Sequence, residues 1–80
     1  MQEDKNMPHI QINCYPGRTK EMKQNCADKV AATVAETLGC NISSVSVAFN
    51  EIEQSDWKDF YNNTIMADEK ALYVKPGYEV

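Results

Sequence analysis

The sequence predicts an α/β protein: a β-α-β unit with parallel strands and one long amphipathic helix, then a short second helix and an extended C-terminal tail, with the core completed by oligomerisation. Three observations predict this. The segments His9–Tyr15 and Val45–Phe49 alternate apolar with polar residues, as half-buried strands do. Between them apolar residues recur three and four apart, the period of a helix with one buried face. With 80 residues the chain forms one domain, too small to bury much apolar surface alone.

The first strand carries Ile10, Ile12 and Cys14 on one side and His9, Gln11 and Asn13 on the other. Pro16-Gly17 breaks it and turns the chain. Thr19 is the expected N-cap of the long helix, because its hydroxyl can accept an otherwise unpaired backbone N–H of the first turn. The helix face is Met22, Cys26, Ala27, Val30, Ala31, Val34, Ala35 and Leu38, about 20 residues or ~30 Å of helix. Gly39 sits where a left-handed C-cap is wanted. In the second strand Val45, Val47 and Phe49 alternate with Ser46, Ala48 and Asn50. Strand, helix and strand make a crossover, so parallel pairing with a right-handed connection is expected. Ser55 or Asp56 is the expected cap of a shorter helix with Trp57, Phe60, Tyr61 and Ile65 on one side. The tail ALYVKPGYEV reads as extended, turned by Pro76-Gly77. Residues 1–6, MQEDKN, form an N-terminal extension, and residues 7–80 a single domain.

Composition narrows the function. A net charge of −4 argues against a nucleic-acid backbone as partner. No stretch approaches the ~20 apolar residues that span a bilayer, and MQEDKN lacks the apolar core of a signal peptide. Cys14, Cys26 and Cys40 form no CxxC or Cys/His pattern. They read as reduced thiols in a cytoplasmic protein and as small core hydrophobes. A single histidine builds no multi-histidine metal site, and Gly17, Gly39 and Gly77 are too scattered for a phosphate loop. Glu51 and Glu53 have the spacing of paired carboxylates, but a solvated strand end accounts for them more simply. No metal and no cofactor is expected.

What remains is Pro8. MPHIQI, then Gly17-Arg18 at the strand-helix turn, the long helix and SSVSV resemble the 4-oxalocrotonate tautomerase family of the tautomerase superfamily. The spacing of Met7-Pro8-His9-Ile10, Ile12, Cys14 and Pro16, with the late ALYVKPGY, is closest to its bacterial dimeric tautomerases with an extended C-terminal tail. The resemblance runs from Met7 to about Tyr78. It implies an isomerase that interconverts enol and keto forms of a small 2-oxo acid, phenylenolpyruvate-like, in a homodimer. The family's general base is an amino-terminal proline. An α-amino group starts near pKa ~8, and an apolar pocket with a nearby cation can bring it towards neutrality.

The resemblance also gives the other residues their roles. Arg18 falls on the arginine that engages the substrate carboxylate, a task suited to a planar, permanently charged fork; otherwise it is a solvated arginine ahead of a helix. Trp57 aligns with an aromatic wall of the pocket, and equally serves as the anchor of the second helix. His9 follows the proline and reads most simply as an exposed strand histidine. Ser46 stands where several hexameric relatives carry a second substrate-binding arginine, which points to a monoacid. Ahead of Met7 stands MQEDKN, so as written the nitrogen of Pro8 is an amide and not a base. Initiation at Met7 with removal of that methionine would free it. The alternatives are a non-catalytic homo-oligomeric module with the same fold, and a hydratase or dehalogenase of the same superfamily.

Overall fold

The structure, a computed structural model, describes residues 7–80; the extension at residues 1–6 lies outside the described residues. Strand β1 (His9–Cys14) leads into helix α1 (Lys20–Leu38), a short 3-10 turn follows at Ile42–Ser44, and strand β2 (Ser46–Glu51) precedes helix α2 (Gln54–Phe60). The two strands pair in parallel, His9 opposite Ser46 through to Cys14 opposite Glu51. Backbone bonds bracket the ladder: Ser46 N–H donates to the Pro8 carbonyl at 3.1 Å, and Ile52 N–H to the Cys14 carbonyl at 2.8 Å. Asn50 Nδ2 donates to Asn13 Oδ1 at 3.0 Å between directly opposed residues, fixing the register from the side chains as well.

Both expected caps hold α1. Thr19 is extended, and its Oγ1 accepts from Met22 N–H at 3.1 Å. At the other end Gly39 takes φ 73°, and its N–H and that of Cys40 both donate to the Ala35 carbonyl. A left-handed residue lets the chain reverse while closing orphan carbonyls, and glycine does so without a Cβ penalty. Between the caps α1 packs against β2, where Lys23 Nζ meets Glu51 Oε2 at 3.0 Å.

The second half departs from expectation. Helix α2 begins after Glu53, not at Ser55 or Asp56: the Glu53 carbonyl accepts from Asp56 N–H at 2.9 Å, and no side chain caps the end. Asp56 instead lies in the first turn, where a carboxylate complements the positive helix end. Trp57, Phe60, Tyr61 and Ile65 do share the half-buried side, but the helix widens to π geometry over Tyr61–Ile65 and tightens to 3-10 over Met66–Ala71, kinking at Asp68. Leu72 N–H closes a turn onto Glu69, so the tail begins at Leu72, whose backbone is extended (φ −83°, ψ 114°), and residues 72–80 follow without regular secondary structure.

No described residue is buried. Ala27, Val30, Ala31, Val34 and Ala35 are half-covered, but Met22, Cys26 and Leu38 of the same stripe stand exposed. Nor are the cysteines core residues: all three are free, Cys26 exposed and the others half-buried. A groove of about 470 Å³ along α1 is lined by Cys26, Lys29, Val30, Thr33 and Val34. The radius of gyration, 14.7 Å, exceeds the roughly 12 Å of a compact chain of this length. A two-stranded sheet with one long helix leaves this apolar surface uncovered.

Candidate active site

The expected site residues fall into two groups at opposite ends of β1. At its C-terminal end a cleft of about 330 Å³ is lined by Asn13, Cys14, Tyr15, Arg18, Trp57 and Tyr78. The Pro16-Gly17 turn creates it: Gly17 has φ 126°, a conformation open to glycine and costly for other residues, and it folds Arg18 back beside the strand end. Arg18 Nη1 lies 3.5 Å from the Tyr15 carbonyl, at the outer limit of a hydrogen bond, and the guanidinium pairs with no carboxylate among the described residues. A charged fork so loosely held keeps its donors for an anion. Trp57, on the first turn and a half of α2, stands edge-on to Tyr15 with centroids 5.3 Å apart and packs on Phe60 at the same distance. Trp57 thus lines the cleft and also packs on its own helix.

At the N-terminal end lie Pro8, His9 and Ser46. The backbone bond from Ser46 to Pro8 ties the proline to the start of β2, and His9 Nδ1 is 2.6 Å from Ser46 Oγ. His9 is thus an exposed strand histidine with a defined partner. Met7, just before, has φ 42°, a left-handed conformation uncommon outside glycine. Asn13, Cys14, Tyr15 and Tyr78 escaped the sequence reading. The first three follow from the position of the Pro-Gly break, since residues at a strand end beside a turn line whatever cleft the turn makes. Tyr78 carried no such signal. Glu51 is engaged by Lys23, which leaves it as a strand-end carboxylate. No group of three or more His, Cys, Asp or Glu residues among the described residues is placed to hold a metal ion, and none of their helices is long and apolar enough to cross a membrane.

Comparison with known proteins agrees with this architecture. A family model described as tautomerase enzyme matches residues 8–58. A protein named "Probable tautomerase" from Xylella fastidiosa is 38% identical over 73 residues, covering 90% of this chain and 89% of its own. The tautomerase PptA of Pectobacterium carotovorum is 39% identical over 74 residues, with 90% and 97% covered, and that of Escherichia coli 32% identical over 75, with 92% and 100% covered. A crystal structure from methicillin-resistant Staphylococcus aureus, described as "a putative 4-oxalocrotonate tautomerase", superposes with a TM-score of 0.57 at 28% identity, covering 59% of this chain and 76% of that one. A parallel β-α-β unit entered by a proline, with a guanidinium at the first turn and a family match beginning at that same proline, has one reading: the chain belongs to the tautomerase family.

Proposed function

We propose that the protein is a tautomerase that moves a proton between carbon and oxygen of a small enolisable 2-oxo monoacid, with Pro8 as general base when Pro8 is the amino terminus. The observation that carries this reading is the cleft at Arg18, a loosely held guanidinium among aromatic rings. Arg18 binds the carboxylate and draws electron density towards the oxygen as the enolate develops. Pro8 takes the proton from one atom and returns it to the other, so the cycle needs no cofactor. Ser46, with one hydroxyl and no charge, suits a monoacid better than a diacid.

The two groups of residues lie too far apart to act within one chain. Six strand residues at about 3.3 Å each separate Pro8 from the Arg18 end by roughly 20 Å. A small acid reaches across only a few ångströms, so the site takes Pro8 from one chain and Arg18 from a second. The uncovered face of α1 and the open edges of the sheet favour such a homodimer. The single domain of residues 7–80 is the unit that pairs, with residues 1–6 as an appendage ahead of it.

The seven residues ahead of Pro8 supply the competing reading, a non-catalytic module, because an amide nitrogen has no useful basicity. The two are separated by assaying the full chain beside a form that begins at Pro8, with phenylenolpyruvate as substrate. The short form is expected to be faster by the ~10²–10⁴-fold that a positioned general base contributes. Equal rates would remove Pro8 as the base, and inactivity of both forms would favour the module.

A further inference from the structure

We propose that Tyr78, held in place by Tyr61, is a specificity-determining residue that makes the Arg18 cleft select a carboxylate bearing a planar aromatic group. This deepens the proposed function and rests on Arg18 as the carboxylate anchor. The single tryptophan and three of the four tyrosines meet around this cleft. Tyr15, Trp57 and Tyr78 line it. Tyr61 stands behind Tyr78 with ring centroids 5.6 Å apart, and its hydroxyl donates to the Tyr78 carbonyl over a long 3.4 Å.

The contrast along the tail shows that this placement is selective. Tyr73 and Val74 are 98% and 86% exposed, whereas Tyr78, past Pro76-Gly77, has folded back to 47% and onto the cleft. Tyr61 begins the π-helical stretch, so the local widening of the helix sits under the residue that receives the tail. A carboxylate on Arg18 leaves the rest of its molecule among three rings. Aromatic faces and edges at such spacings favour a flat aromatic guest over an alkyl group of similar chain length.

The test uses the full chain and two monoacids without a keto group, 3-phenylpropanoate and butanoate, the first with a phenyl ring where the second has a methyl group, titrated against the fluorescence of Trp57. The wild-type chain is expected to bind the aryl acid about tenfold more tightly. Tyr78→Ala should bring the two affinities within about twofold, with a wild-type circular dichroism spectrum as the check that the fold is intact. Tyr78→Phe should keep the preference, and Tyr61→Ala should lose part of it. An unaltered preference in Tyr78→Ala, or no preference in the wild type, overturns the proposal. Neither acid is turned over, so the result does not depend on whether Pro8 is a base. Arg18→Ala is the separate check on the anchor: wild-type affinity for both acids in that variant would remove Arg18 while a Tyr78-dependent preference still stood.

Discussion

His9 and Ser46 face each other across the first rung of the parallel ladder, Nδ1 to Oγ at 2.6 Å, beside the proline that opens the strand. The pair is exposed, so water can replace either partner and the bond adds little to stability. Ser46→Ala should shift the urea midpoint by no more than about 1 kcal/mol in unfolding free energy. Ser46→Arg is the informative change, since it places a cation where the family resemblance puts one in several hexameric relatives. It should raise affinity for a dicarboxylate relative to a monocarboxylate by about tenfold, the scale of one charge-assisted contact. An unmoved ratio would take the start of β2 out of the site.

Arg18 is expected to matter for chemistry and not for folding. In a form that begins at Pro8, Arg18→Ala should keep the wild-type circular dichroism spectrum and lose roughly 10²-fold in kcat/KM. Arg18→Lys should recover part of this, because an ammonium keeps the charge but not the fork. Steady-state kinetics on the three proteins decide the matter, and unchanged kinetics in Arg18→Ala would leave a solvated arginine.

The distance between Pro8 and Arg18 gives a sharper expectation. In the form that begins at Pro8, Pro8→Ala and Arg18→Ala proteins should each be strongly impaired alone. Unfolded together and refolded as a mixture, they should regain about a quarter of wild-type activity, since half the dimers are mixed and each mixed dimer holds one complete site. A mixture as inactive as its parents would place both residues' contributions within one chain.

Gly39 offers a test of the fold free of the site. Its φ of 73° is needed to end α1, and a Cβ there would meet nothing within 4 Å. Gly39→Ala should therefore cost only the backbone term, about 1 kcal/mol by urea denaturation, and Gly39→Asn less. No loss in Gly39→Ala would mean that the helix end re-forms around the new residue.

The first half of the chain was legible because each of its signals is local. Alternation in His9–Cys14 and Ser46–Glu51, the hydroxyl at Thr19 and the glycine at residue 39 each act within a few residues of themselves. Pro8 and Arg18 were singled out by motif spacing, and the straight ladder of β1 sets them at its two ends. The second half was harder. Neither Ser55 nor Asp56 caps α2, because a backbone turn at Glu53 closes first. The π and 3-10 windings after Phe60 leave no periodic trace in so short a segment. Tyr78 was missed for the same reason that it matters: its place comes from a contact with Tyr61, 17 residues away, and no pattern within the tail encodes that.

The absence of any buried side chain among the described residues changes what stability means for this protein. A chain that leaves Val30, Val34 and Phe49 only half-covered holds little of its hydrophobic free energy by itself. In the proposed dimer the remainder comes from mass action, so the melting temperature should climb with protein concentration. In that dimer a substitution at any of these three positions is expected to register as a shift in subunit affinity, with folding and association lost in a single transition.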